Sequence, residues 1–72
     1  MALMATWQIM VACRNGSRLR FSERRDRAPQ KGEIVQTGDS ASIIKARIDT
    51  YHEQPPKGGT SPIFFQVMAT EV

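Results

Sequence analysis

Seventy-two residues carry a net charge of +3 and 40% apolar side chains, which suffices for one small domain with a thin hydrophobic core. This apolar content argues against general disorder, and a single cysteine excludes an intrachain disulfide framework and a multi-cysteine metal site. No apolar run approaches the ~20 residues of a membrane span, so we expect no membrane association. The cysteine usage is typical of a reducing cytoplasm. We expect one β domain over residues 1–72, with residues 1–5 as a candidate disordered end.

The first predicted element is a β-hairpin over residues 6–22, whose turn lies at Asn15-Gly16. Apolar and polar side chains alternate before and after this turn, which is the pattern of half-buried strands. The apolar run at the start lacks the basic residues of a signal peptide and is interrupted by Gln8, so we interpret it as a strand. The predicted apolar face consists of Trp7, Ile9, Val11, Leu19 and Phe21.

The length of the hairpin loop follows from matching the two faces. A two-residue loop would mix Arg18 and Arg20 into the apolar face, because directly opposed residues share a face of the sheet. A three-residue loop over residues 14–16 instead pairs Val11 with Leu19 and puts a glycine at the position that needs a left-handed backbone. We therefore predict the three-residue loop, with the arginines on the opposite face.

A charged stretch of eleven residues, 22–32, follows the hairpin and lacks any apolar periodicity. We interpret it as a surface loop, with a short helical turn over residues 22–27 as an alternative. The next residues, 33–37, are a short predicted strand and a possible sheet edge, and residues 38–40 have the composition of a turn.

Residues 41–52 alternate again, and their β-branched side chains favour a strand over the competing helix. Ile44, Ala46, Ile48 and Thr50 form its predicted apolar face, which leaves Tyr51 on the opposite, mostly polar face. Residues 54–61 contain two prolines and two glycines and are predicted to be a loop. The last strand, residues 62–72, is apolar on both faces, which is typical of a central or doubly covered strand.

Five short strands and no convincing helix predict an all-β domain. For a chain of this length we expect a small, strongly bent five-stranded sheet or barrel of SH3-like or OB-like type, because closure removes exposed strand edges. The arrangement matches such barrels in pattern only.

Basic charge is concentrated in one part of the chain. Residues 14–31 contain seven basic and two acidic side chains, a net charge of +5, whereas the remaining residues carry −2. Guanidinium groups bind phosphate and carboxylate through paired hydrogen bonds and stack on bases. The candidate binding residues are therefore Arg14, Arg18, Arg20, Arg24, Arg25, Arg27 and Lys31, with Tyr51 as a candidate stacking residue.

Three interpretations of this basic segment stay open. The leading functional hypothesis is a nucleic-acid-binding surface over residues 14–31, and the alternatives are a docking surface for an acidic protein and a solvated face without a ligand. The thin core and the apolar residues on both faces of the last strand also suggest a homo-oligomer.

Catalytic chemistry has little support in the sequence. His52 is the only histidine, and Cys13 lies on the predicted core face, where a buried, unreactive thiol is expected. Residues 57–60 lack the spacing of a phosphate-binding loop, and one histidine with scattered carboxylates does not make a zinc site. We therefore predict a non-enzymatic binding module without a metal or cofactor.

Overall fold

The computed structural model describes residues 5–39, 41–54 and 63–72. The described part contains five β-strands and no helix, so none of its segments is a helix that could cross a membrane. The strands are β1 (Ala5–Ala12), β2 (Arg18–Arg25), β3 (Ile34–Asp39), β4 (Ser42–Gln54) and β5 (Ile63–Glu71). The predicted all-β, five-stranded and strongly bent sheet is confirmed.

The five strands form one sheet in the order β2-β1-β5-β4-β3. Strands β1 and β5 run parallel, and the other three neighbouring pairs are antiparallel. The prediction that the last strand is central is confirmed, since β5 lies in the middle of the order. The strands predicted at residues 33–37 and 41–52 are also present, each with slightly different ends.

The N-terminal hairpin has the predicted register. Val11 pairs with Leu19, and the loop over residues 14–16 is closed by hydrogen bonds from Cys13 N to Ser17 O and from Gly16 N to Cys13 O. Gly16 has a φ of 89°, the left-handed conformation that a three-residue loop requires at this position. The even-numbered residues of β2 consequently face away from the core.

The core lies on one side of the sheet, which we call the inner face. Ten small or apolar side chains are buried there, and Cys13, Phe21, Ile44 and Ile63 pack against them. Most of these residues occupy the odd-numbered positions of β1 and β5, where the sequence alternation placed them. The ten buried residues are Ala5, Trp7, Ile9, Val11, Val35, Ala46, Ile48, Phe65, Val67 and Ala69.

The sheet curls until its two edge strands, β2 and β3, approach each other across the inner face. Side chains join these strands in place of a backbone ladder. Glu23 Oε2 accepts hydrogen bonds from Thr37 Oγ1 at 2.6 Å and from Gly38 N at 3.2 Å, and Arg25 Nη2 donates to Gln36 O at 2.8 Å. We call this set of contacts the seam. It closes the half-barrel and bridges the edge predicted around residues 33–37.

Two sequence-based expectations are wrong in part, and two others fall mostly outside the described residues. Residues 22–25 belong to β2, so the predicted loop over residues 22–32 is too long and the alternative helical turn over residues 22–27 is wrong. The connection between β2 and β3 is limited to residues 26–33. Strand β3 continues through Gly38 to Asp39, so the predicted turn at 38–40 starts later, and residue 40 lies outside the described residues. The predicted loop at 54–61 lies outside the described residues apart from Gln54, which ends β4. The disordered end predicted at 1–5 also lies outside them apart from Ala5, which is buried in β1.

Candidate functional site

The outer face of the sheet, opposite the core, displays side chains in four transverse rows. The strand registers define these rows across β2, β1, β5 and β4. The rows are Arg18-Ala12-Thr70-Arg47, Arg20-Met10-Met68-Thr50, Ser22-Gln8-Gln66-His52 and Arg24-Thr6-Phe64-Gln54. Cations therefore stand at the two sides of the face, and the positions that β1 and β5 contribute to these rows are uncharged.

Arg18, Arg20 and Arg24 form a line along the outer face of β2, which we call the arginine column. All three are exposed, and within the described residues their guanidinium groups make no ion pair or side-chain hydrogen bond. Alternate residues of a strand lie about 6.6 Å apart on the same face. The column thus presents three free guanidinium groups along β2, with Ser22 in the gap before the third.

Arg25 lies on the inner face and makes intramolecular contacts. Its Nη2 atom lies 2.5 Å from Glu23 Oε1, and its Cζ lies 4.7 Å from the centroid of the Trp7 ring. Among the described side chains, its Nε is the buried polar atom without a hydrogen-bond partner. Because these contacts belong to the seam, Arg25 is a structural residue of the fold.

Arg27 is also occupied by intramolecular contacts. Its guanidinium group forms an ion pair with Glu33, and its Cζ lies 5.2 Å from the Trp7 ring centroid. The Trp7 indole donates a hydrogen bond to the Arg27 carbonyl at 2.9 Å, which ties the connection after β2 to the core. The hydrogen bond from Arg27 lowers the pKa of Glu33, and in return Glu33 raises the pKa of Arg27. Trp7 is fully buried, as the sequence predicted for a core residue.

The other predicted cations lie away from the arginine column. Arg14 is exposed in the hairpin loop, where its backbone N–H donates to Glu71 Oε1 at 2.9 Å. Lys31 is exposed in the connection between β2 and β3. The structure therefore places three of the seven predicted basic residues on the outer face, one, Arg25, at the seam, and three in loops, where Arg27 is paired with Glu33.

Tyr51 lies on the inner side of the sheet, so its predicted outward orientation is wrong. A β-bulge between Ile48 and Thr50 adds one residue to β4, and beyond it Tyr51 pairs with Val67. The Tyr51 ring meets the Phe65 ring edge-on at a centroid distance of 6.2 Å and is 42% exposed. The bulge thus separates Tyr51 from the arginine column by the thickness of the sheet.

A shallow depression of about 350 Å³ lies on the outer face over the middle of β2, β1 and β5. Three residues of the inner face, Ile9, Phe21 and Val67, are among those that line it. The side chains that line this central depression are Gln8, Met10, Arg20, Ser22, Gln66 and Met68. Arg20 is the residue that belongs to both the depression and the arginine column.

Sequence reasoning did not select the lining residues of β1 and β5 as part of a site. Their positions in the alternation are visible in the sequence, since Gln8 and Met10, like Gln66 and Met68, alternate with the residues predicted to face the core. The parallel pairing that places Met10 beside Met68 and Gln8 beside Gln66 joins residues almost sixty positions apart. No local pattern announces such a pairing.

Glu23 is the carboxylate with the most partners at the seam. Burial raises its pKa, but the hydrogen bonds from Thr37, Arg25 and Gly38 and the charge of Arg25 together outweigh burial. The net result is a pKa below the ordinary value, so Glu23 is ionised at neutral pH.

Comparison with known proteins adds no relative, since no family model, curated protein or solved structure matches this chain. Within residues 5–39, 41–54 and 63–72, no three side chains of His, Cys, Asp or Glu come together as metal ligands. Cys13 packs against the core on the inner side, and His52 is exposed in an outer row beside Gln66. Function therefore has to be argued from the outer face itself.

Proposed function

We propose that this protein is a non-enzymatic binding module whose outer sheet face binds nucleic acid through Arg18, Arg20 and Arg24. One observation carries the proposal: the guanidinium groups of the arginine column are exposed and have no ion-pair partner in the part of the chain that the structure describes, while Arg25 and Arg27 make internal contacts. Unpaired guanidinium groups keep all five of their N–H donors available to an external anion. The single cysteine agrees with the cytoplasm as the compartment, which stays part of the proposal.

A repeating anion suits a column of cations better than a single anion does. Guanidinium groups form bidentate hydrogen bonds with phosphate oxygens, and successive phosphates of one strand meet successive arginines of the column. In the four rows, β1 and β5 contribute no acidic side chain that would repel a phosphate backbone. Asp49 of β4 brings a carboxylate to the far side of the face, where Thr70 donates a hydrogen bond to its Oδ2 at 2.5 Å. On the far side of the face, Arg47 adds a further cation in the row of Arg18.

The salt dependence of binding tests this proposal. Fluorescence anisotropy with labelled DNA and RNA is measured from low to physiological salt for the wild type and for Arg18→Gln, Arg20→Gln and Arg24→Gln. Each lost phosphate contact lowers the slope of log K against log salt by about 0.7–0.9. We expect every single variant to weaken binding similarly for all sequences, and the triple variant to lose most of the slope.

Lys31→Gln is the matched control, because it removes one exposed positive charge from a loop and leaves the outer face intact. We expect it to keep the wild-type slope within about a quarter of one phosphate contact. Absence of binding to every DNA and RNA probe at low salt refutes the proposal. Equal losses for Lys31→Gln and for the arginine column variants would also refute it, since net charge alone would then explain the binding.

Docking on an acidic protein is the second candidate function, and the apolar centre of the outer face favours it. Met10, Met68 and Phe64 lie beside the arginine column, and an apolar centre with a charged rim is the usual anatomy of a protein interface. Tighter binding of a polyglutamate peptide than of DNA or RNA with equal charge would favour this candidate over nucleic acid. Light scattering over a range of concentrations tests the related homo-oligomer, whose pairing through β3 would have to displace Glu23 and Arg25 from the seam.

A further inference from the structure

The central depression differs chemically from the column beside it. Met10 and Met68 lie side by side and form an apolar strip, and Met68 is 46% exposed. The next row places Gln8 beside Gln66, so that two carboxamides offer both hydrogen-bond donors and acceptors. Arg20 forms part of the wall. An apolar strip, a pair of adaptable polar groups and a cation within about 350 Å³ match the face, the edge and the phosphate of one nucleotide.

We infer that the central depression receives an unpaired base, so that the ligand of the outer face is a single-stranded nucleic acid. This inference rests on the proposed function. A base in a duplex is stacked on both faces and paired at its edge, so it cannot lay its face on Met10 and Met68. An unpaired base can, and thioether sulfur makes favourable contacts with aromatic rings.

The path of the nucleic-acid strand across the outer face follows from the same geometry. The arginine column runs along β2, and the central depression opens beside its middle member, Arg20. A nucleic-acid strand whose phosphates follow the column therefore turns its bases inward over β1 and β5. Gln8 and Gln66 lie within the depression, where their carboxamides reach the edge of the base; carboxamides form paired hydrogen bonds most readily with adenine.

Binding of single strands and of the matching duplex is the direct test. The probes are labelled oligonucleotides of about 12 nucleotides as single-stranded RNA, single-stranded DNA and double-stranded DNA, measured by anisotropy at low salt. We expect both single strands to bind about tenfold more tightly than the duplex, and to differ from each other by less than about threefold, because the depression contacts the base and not the sugar.

The double variant Met10→Ala with Met68→Ala removes the apolar strip. We expect it to weaken single-strand binding by about five- to tenfold and to leave duplex binding unchanged. Ile43→Ala is the control, because Ile43 is an outer-face apolar residue that is 63% exposed and lies outside the depression. Far-UV circular dichroism and the emission of Trp7 confirm that each variant is folded.

The outcomes separate this inference from the proposed function. Equal affinity for duplex and single strands, with no effect of the methionine substitutions, overturns the base-binding depression but leaves the arginine column as a phosphate-binding surface. Equal binding of polyglutamate and single strands likewise overturns it, since the face would then respond to charge alone. If no nucleic acid binds at low salt, the proposed function fails and the inference fails with it.

Discussion

Removal of the Glu23 carboxylate tests how the half-barrel is closed. In Glu23→Ala, the Thr37 hydroxyl loses its acceptor while remaining 2% exposed, and the Gly38 N–H loses its acceptor as well. Each hydrogen bond to a charged group contributes about 1.5–3 kcal/mol, and a buried group left unpaired costs about 1–3 kcal/mol. We expect Glu23→Ala to lower the free energy of unfolding by about 2–4 kcal/mol, since water partly replaces the lost partner at the end of the edge strand β3.

This loss is large for a domain of this length, whose total free energy of unfolding is about 4–11 kcal/mol. A change of 1 kcal/mol shifts the Tm of a 60–100-residue domain by about 4–8 °C, so we expect a decrease of roughly 10–25 °C. Urea and thermal unfolding are followed by the emission of Trp7, the only tryptophan of the chain. Glu53→Ala is the control, because Glu53 is an exposed glutamate of β4, and we expect it to change stability by less than about 0.5 kcal/mol.

A double-mutant cycle with Thr37→Val isolates the contact between β2 and β3. If the hydrogen bond from Thr37 Oγ1 to Glu23 Oε2 closes the seam, the double variant loses less stability than the two single variants together, by about 1 kcal/mol or more. Additive losses would contradict this interpretation of the seam. So would a Glu23→Ala protein as stable as Glu53→Ala.

The pH dependence of the free energy of unfolding is an independent test of the role of Glu23. Because the folded-state pKa of Glu23 lies below its unfolded value of about 4.3, its stabilisation is present in full above that value and disappears as the pH falls through the lowered folded pKa. Glu23→Gln cannot titrate, so the wild type loses its advantage over this variant below about pH 4. Glu33 retains its own acid sensitivity in both proteins. A stability difference that does not change with pH would refute the assignment.

Two further substitutions test local features. Gly38→Ala would place a Cβ in steric overlap with the Ser42 carbonyl oxygen at a φ of 118°, so we expect the free energy of unfolding to fall by more than about 3 kcal/mol. Gly16→Ala, at a φ of 89° with open space around it, should lose only about 1 kcal/mol in the same urea assay. Equal losses would contradict the steric explanation. Arg27→Ala removes a guanidinium group from beside the Trp7 ring, so we expect the emission of Trp7 to change. The free energy of unfolding should fall by less than about 1 kcal/mol, because the Arg27 side chain is 44% exposed. Unchanged emission would show that the guanidinium group does not reach the ring in solution.

The hairpin could be predicted from the sequence because its determinants are local. The Asn-Gly turn and the apolar alternation around it select a three-residue loop without reference to the rest of the chain. Strand β2 was predicted too short for the opposite reason. Glu23 and Arg25 look like loop residues, yet they occupy inner positions because their partners lie on β3, and a contact between edge strands overrides local composition.

The candidate site was predictable in part. Arg18 and Arg20 could be assigned to one face by parity, whereas Arg24 fell in a segment predicted to be a loop and joins them only because β2 continues to Arg25. The internal contacts of Arg27 depend on a connection whose path the sequence does not reveal. The β-bulge in β4 could not be predicted, because one extra residue exchanges the two faces of a strand without changing its composition. The bulge places Tyr51 on the inner side. The depression depends on the parallel pairing of β1 with β5, a long-range event.

The alternation of side chains along β2 divides the strand into two sets of residues, one on the outer face and one on the inner face. Exposed positions such as Arg18 and Arg24 make no described contact with the core, while Glu23 and Arg25 close the seam. Libraries randomised at the exposed positions alone would therefore vary the proposed binding surface while the closure of the sheet stays intact. A single-residue deletion within the strand would exchange the two sets at once, so this protein tolerates substitution far better than a change in length at the same place.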